Sequence, residues 1–291
     1  MTSTPEFPTK ANPVLAIAQL LRVPSSSLAG IAGFAASYAL NATLPLEKYL
    51  LTAGILFCMT AAACTINDYW DIEQDRINHP DRPLPSGRLS LQQAWWIAVC
   101  LFATAVIAAI PLGIIPLILV AVNTILLWNY SHLLKVSGIL GNLIVATTIS
   151  LLIFLSSVVA GRPFVMLYPT GFLFCYALMR EVLMDIHDAE GDRAQGIVTI
   201  ANRWGDRTAF RIIWGLLAGL AISLPLALWL LPMRHGLLFG AFASVLLLSF
   251  AIPLVSFQRH HTAAAYQRLL LWERLGMLLG AIGLLGAAPR F

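Results

Sequence analysis

The sequence predicts an all-α integral membrane protein, with nine transmembrane helices arranged as two related halves around a central cavity. Three observations carry this expectation. The 291 residues are 59% hydrophobic and only 11% charged, against about 25% charged in a soluble domain. Nine stretches are apolar for long enough to cross a bilayer. The acids are concentrated: ten of the fourteen Asp and Glu residues fall in two short stretches, 68–81 and 181–192. Solvated faces spread their acids, so this clustering points to sites.

A spanning helix needs about 20 mostly apolar residues. That places spans near 14–40, 48–66, 92–110, 114–131, 138–159, 166–185, 207–231, 235–256 and 267–287. Pro111 to Gly113, Gly161 to Pro163, and Pro232 with Gly236 mark tight reversals between them. The long loops are 67–91 and 186–206, which leaves residues 1–291 as a single transmembrane domain behind a short polar segment, 1–13. No small-residue cleavage site follows that segment, so no removed signal peptide is expected. Lys and Arg favour cytoplasmic loops. With the N-terminus inside, thirteen cations fall on the inner side, while the outer side holds four, Lys48, Arg162, Arg234 and Arg290; Arg274 falls within the last span. Both acidic stretches then face the cytoplasm, and the C-terminus lies on the opposite side. Cys58, Cys64, Cys100 and Cys175 stand singly in apolar runs, as core thiols do. Trp95 and Trp96 read as an interfacial belt, and Ser27 to Ser37 as a small-residue packing face.

The internal repeat is short but specific. Asp71–Arg76 (DIEQDR) and Asp188–Arg193 (DAEGDR) share the pattern D-x-E-x-D-R at an offset of 117 residues. On a helix, Asp68, Asp71 and Asp75 share one face, with Asn67 in line, and Glu181, Asp185, Asp188 and Asp192 share another. Stacked carboxylates repel unless cations lie between them, and charge in or beside a bilayer is costly and usually functional. All-oxygen ligands select a hard cation. Mg²⁺ uses one or two carboxylates and completes its shell with water and substrate phosphate oxygens. Two facing acid clusters therefore fit a diphosphate held between Mg²⁺ ions.

The stretch NDYWDIEQDRINHPDRPLPSG, Asn67 to Gly87, resembles the first signature of the UbiA superfamily of intramembrane prenyltransferases. REVLMDIHDAEGDRAQGIVTI, Arg180 to Ile200, resembles the second, and YSHLLKVSGILGN, Tyr130 to Asn142, resembles the intervening Y-S-x-x-L-K and G-N elements. The resemblance implies a helical fold around a lateral, lipid-open cavity. It also implies Mg²⁺-dependent transfer of an isoprenyl group from its diphosphate to an acceptor. By matching positions, Asn67, Asp71 and Asp75 face Glu181, Asp188 and Asp192 as ligands of two or more ions that bridge the diphosphate. The donor implied is of the farnesyl or geranylgeranyl class, with a hydrophobic acceptor, aromatic or lipid-like, reached from the bilayer; no nucleic-acid partner is expected. Tyr130 and Asn142 carry the intervening element as substrate-binding residues. The family's first helix often carries R-P-x-N; here Arg22 is present, with Ser26 where the Asn would stand.

Lys135, Arg76 and Arg82 are candidates to hold the phosphates, and Arg22 to contact substrate. The metals neutralise charge on the diphosphate as its C–O bond breaks, which makes Asp71 catalytic as well as a ligand. Asp68 and Asp185, outside the matched ligand set, are candidates to take the acceptor's proton. His79, His132 and His187 lie near the same helix ends. Among acceptors, glycerol phospholipid precursors, chlorophyllides and aromatics are all compatible, with an aromatic favoured by its frequency in the family. A UbiA-type terpene cyclase, which needs no acceptor, is the main alternative. A divalent-cation transporter would need charge deep in the spans, and a polyprenyl-lipid-binding scaffold would need no turnover.

Overall fold

The computed structural model describes residues 12–130, 138–194 and 196–287, and they fold as helices joined by short turns. The first span is broken. Helix α1 (Pro13–Leu20) and α2 (Val23–Leu40) meet at a 52° bend, where Arg22 adopts a left-handed backbone at φ 45° and Pro24 starts the new helix. Such a φ is unusual for a side-chain-bearing residue and ends a helix locally. Gly33 on α2 shows why the small-residue run is there: a Cβ at this position would meet Leu56 Cδ2 at 2.7 Å on α3 (Leu46–Trp70).

Each acidic stretch forms the same local figure. Helix α3 stops at Asp71, whose backbone sits at φ −90°, ψ 11°, and the short α4 (Ile72–Asn78) follows at once. Downstream come α5 (Leu91–Ala109), α6 (Ile114–Asn129), α7 (Gly138–Val159) and α8 (Leu167–His187). Helix α8 stops at Asp188 with φ −93°, ψ 7°, and the short α9 (Ala189–Ala194) follows. The remaining elements are α10 (Ile200–Trp204), α11 (Asp206–Leu230), α12 (Gly236–His260) and α13 (Ala263–Gly283). Capping boxes, Ser90 with Gln93 and Thr199 with Asn202, satisfy the first N–H groups of α5 and α10.

All nine expected stretches contain helix, but they are not equal. Six helices are long and apolar enough to cross a membrane, or seven when the bent α1–α2 pair counts as one span. Helix α6 is shorter, at 16 residues. Helix α8, with 21 residues, carries Arg180, Glu181 and Asp185 in its last turns, and these lower its hydropathy. The chain is thus an all-α, multi-pass integral membrane protein. Two apolar cores build it. One joins α2, α3, α5, α6 and α7 through Ile55, Met59, Phe102 and Leu155. The other joins α8, α11, α12 and α13 through Met179, Ile213, Phe250 and Leu269. The four cysteines are free thiols. Trp95 departs from the expected belt: it packs on Trp128 and Tyr69, at ring-centroid distances of 4.7 and 5.3 Å, while Trp96 stays exposed.

Candidate active site

A cavity of about 670 Å³ is lined by residues of both cores. The helix stops at Asp71 and Asp188 bring the acids to it, because each break lets the following short helix turn its own acid inward. Asn67, Asp71, Asp75, Glu181, Asp185, Asp188 and Asp192 all line it, with Arg22, Arg82, Tyr130 and Asn142. Much of the rest of the wall is apolar, including Leu28, Met59, Leu152, Phe172 and Leu173, with Tyr176, Arg180 and Glu273 among its polar residues.

The two acidic stretches touch directly. Gln74 of α4 hydrogen-bonds Asp192 of α9, and Asn78 Nδ2 donates to the Asp188 carbonyl at 3.2 Å. His79 Nε2 lies 3.3 Å from Asp188 Oδ1, and His187 Nδ1 lies 2.8 Å from the same oxygen. Gly191 permits this approach, since a Cβ there would run into the Asn78 amide. The imidazoles leave a clear electrostatic mark: burial pushes the Asp188 carboxyl up, but the hydrogen bonds from His187 and His79 outweigh it and hold the group below the usual carboxylate range. Asp75 moves the other way. Burial raises it, and the Arg82 guanidinium only partly offsets that.

Each remaining acid has a partner. Asn67 Nδ2 donates to Asp71 Oδ2 at 2.7 Å, and Asn142 Nδ2 donates to Asp185 Oδ2 at 2.8 Å. Arg82 Nη1 reaches both oxygens of Asp75, at 2.7 and 2.8 Å, and Asp68 at 3.3 Å. Arg22 Nη2 donates to Asp68 Oδ1 at 2.8 Å. Arg180 lies 3.3 Å from Glu181 and, through Nε, 2.6 Å from Glu273 of α13.

Two expected site residues stand elsewhere. Asp68 is 2% exposed and does not line the cavity; with two arginines on it, its place is behind Arg22 and Arg82 rather than at a reacting proton. Arg76 points outward to Glu73, both more than half exposed, because the two share a face of α4 at i, i+3. Lys135 and His132 lie outside the described residues. Conversely, Gln74, Asn78 and Glu273 were not anticipated as site residues. Gln74 had a signal: Asn67, Asp71 and Gln74 fall at i, i+4, i+7, one helical face.

A family model described as "UbiA prenyltransferase family" matches residues 27–275. The chain belongs to the UbiA prenyltransferase family. Its enzymatic activity is accordingly that of a prenyltransferase. Among the relatives of this UbiA-family chain is the digeranylgeranylglyceryl phosphate synthase of Saccharolobus solfataricus, 32% identical over 282 residues, 94% of this chain and 97% of that protein. The protein of the same name from Sulfolobus acidocaldarius is 36% identical over 183 residues, 62% of this chain and 66% of its own length. In three dimensions the chain is similar to a UbiA homolog from Archaeoglobus fulgidus bound to GPP and Mg²⁺, with a TM-score of 0.73 at 15% identity, covering 92% of this chain and 99% of that one. At that identity the likeness speaks to the fold. The donor chemistry of this chain is consistent with a hard divalent ion: the carboxylates of Asp71, Asp75, Glu181, Asp185, Asp188 and Asp192 and the amide of Asn67 line a single cavity.

Proposed function

We propose that this chain transfers an isoprenyl group from a prenyl diphosphate, held with Mg²⁺ between its two acidic helix ends, to a hydroxyl of a lipid-like glyceryl phosphate acceptor within the membrane. The observation that carries this reading is the shared cavity, acidic at the helix breaks and largely apolar along the rest of its wall. The choice of acceptor leans on the relatives, several of which are named digeranylgeranylglyceryl phosphate synthase. That support favours the lipid-like acceptor over the aromatic one favoured by family frequency.

Asn67, Asp71 and Asp75 on one side and Glu181, Asp188 and Asp192 on the other would hold two or more ions. Bound there, Mg²⁺ supplies charge neutralisation on the diphosphate as the C–O bond breaks. The chain's own residues do the rest. Asp68 fixes the guanidinium groups of Arg22 and Arg82 at the cavity edge, where they can donate to phosphate oxygens; Lys135 is a further candidate for that task. His79 and His187 orient Asp188, and Asn142 orients Asp185. Leu28, Met59, Leu152, Phe172 and Leu173 keep water from the allylic carbon while its positive charge develops. The two equivalent helix breaks support the reading of two related halves within one domain; the nine helical stretches support nine crossings, and the inner-side excess of Lys and Arg then supports an inside N-terminus and an outside C-terminus.

Product mass tests the reaction. The purified protein, Mg²⁺ and geranylgeranyl diphosphate are incubated with a prenylated glyceryl phosphate, with a phenol, and with no acceptor. The expected product is a prenyl ether of the glyceryl phosphate, formed only when that acceptor is present. Transfer to the phenol alone would move the assignment to aromatic acceptors. A cyclic hydrocarbon or alcohol at full rate without acceptor would replace transfer by cyclisation. For topology, Ser86→Cys and Glu190→Cys in a cysteine-free background are expected to react with an impermeant maleimide from the cytoplasmic face only. Labelling of both from the outer face would invert the orientation.

A further inference from the structure

Further into the cavity from the acidic end of α8, beyond Glu181, three polar side chains meet on a largely apolar wall. Tyr176 and Arg180 lie one turn apart on α8, and Glu273 faces them from α13; all three line the cavity. At 1.5 Å per residue, Arg180 lies about 10 Å and Glu273 about 15 Å from the inner ends of their helices. Among described acids outside the two motifs, Glu47 and Asp206 sit in the first turns of α3 and α11, whereas Glu273 sits at the middle of α13. An ionisable side chain at such depth is functional by default.

Their bonding is incomplete. The Tyr176 hydroxyl is buried, on a residue only 1% exposed, and has no hydrogen-bond partner among the described residues. Glu273 is 2% exposed; its Oε1 is ion-paired with Arg180 Nε at 2.6 Å but makes no regular hydrogen bond among the described residues. Arg180 keeps more than a quarter of its side chain accessible, although it lies within the bundle, and that surface faces the cavity. A buried hydroxyl and a buried carboxylate oxygen left without hydrogen bonds are each unfavourable. The arrangement is suited to a bound group that both donates and accepts. Because Arg180 is already flanked by Glu273 and Glu181, a second anion is poorly suited to this spot, whereas an uncharged hydroxyl fits.

We propose that Tyr176, Arg180 and Glu273 form the subsite for the acceptor's hydroxyl, with Glu273 as the group that takes its proton. The proposal rests on the transferase reading above. Tyr176 and Arg180 donate to the acceptor oxygen and Glu273 accepts from its O–H. As a lone pair on that oxygen bonds to the allylic carbon, the electron pair of the breaking C–O bond leaves with the diphosphate. The hydroxyl proton passes to Glu273 and then to the departing diphosphate, which restores the carboxylate. Glu273 is ion-paired with Arg180, as Asp75 is with Arg82 and Asp188 with two imidazoles; its place beside the Tyr176 hydroxyl, outside the two acidic motifs, is what sets it apart. Arg180 links the subsite to Glu181, and so to the proposed metal ligands.

The test separates acceptor from donor. Glu273→Gln and Tyr176→Phe are assayed for kcat and for the KM of each substrate, and donor binding is measured by calorimetry with Mg²⁺ and a non-hydrolysable prenyl diphosphate analogue. Glu273→Gln is expected to lower kcat by at least about 100-fold, the usual scale for losing a general base, while donor affinity stays within about twofold. Tyr176→Phe removes a hydroxyl with no partner among the described residues, so folding is expected to be unaffected; the acceptor KM is expected to rise about tenfold, with donor KM unchanged. Wild-type kinetics toward the acceptor in Tyr176→Phe, or equal loss of donor and acceptor affinity in Glu273→Gln, would overturn the subsite and leave the ion pair as a helix staple. If the wild type transferred to no hydroxyl acceptor at all, it is the transferase reading that would fail.

Discussion

Asn substitution at Asp71, Asp75, Asp188 or Asp192, one at a time, is expected to lower prenyl transfer by at least about 100-fold, a few kcal/mol of transition-state stabilisation. Asn keeps the shape and removes the charge. The four positions are not equivalent in what surrounds them. Asp71 and Asp188 occupy the helix breaks themselves, so their carboxylates stand where two helix ends face each other. Asp75 and Asp192 are 3% and 4% exposed on the short helices behind those breaks, held by Arg82 and Gln74. A charged donor lost from any of them leaves the diphosphate less well neutralised as its leaving charge grows. Steady-state kinetics on the purified variants is the check. Near-wild-type turnover in all four, or undiminished turnover in excess chelator, would sink the metal–diphosphate mechanism.

The second large effect is a contrast between neighbouring arginines. Arg82→Ala is expected to lower kcat/KM for the donor by at least about 100-fold and to lower the Tm, whereas Arg76→Ala should stay within about twofold of wild type in both. Arg82 serves two buried carboxylates, Asp75 and Asp68, and removing one partner of a buried pair costs about 3–5 kcal/mol because the other charge is stranded. Arg76 pairs with Glu73 in the open at the protein surface, where such a pair contributes about 0–1 kcal/mol. A thermal melt and a donor titration on both variants decide the matter. Equal losses in the two would mean that Arg76 reaches the substrate after all.

The sequence made the acids legible because helical spacing makes them so. Asp71, Asp75, Asp188 and Asp192 repeat at helix ends on one side of the membrane, and helix geometry alone puts each set on one face. What spacing cannot give is which face meets which. Gln74 and Asp192 are bonded across 118 residues of sequence, and Asn78 and the Asp188 carbonyl across 110; nothing local marks such pairs. The same limit explains the arginines. Arg76 and Arg82 both follow acids, but α4 turns Arg76 outward with Glu73 while the turn after His79 folds Arg82 back over Asp75. Glu273 was visible as a charge in an apolar run, and its neighbour Arg274 could not reach it along the helix. The partner is Arg180, on a helix brought alongside only by the fold. Spans were legible by hydropathy except where function intrudes: α8 carries the charges of the site and so falls short as an apolar span.

The claim on which everything rests is that acids from both helix breaks build one metal–diphosphate site. Calorimetric titration of a non-hydrolysable geranylgeranyl thiodiphosphate into wild type, Asp71→Asn and Asp188→Asn, each with Mg²⁺ and with EDTA, tests it without turnover. Binding is expected to require Mg²⁺ and to weaken at least about tenfold in either single variant, because each acidic helix end supplies part of the same site. Equal affinity with EDTA, or weakening in one variant and none in the other, would contradict a shared site.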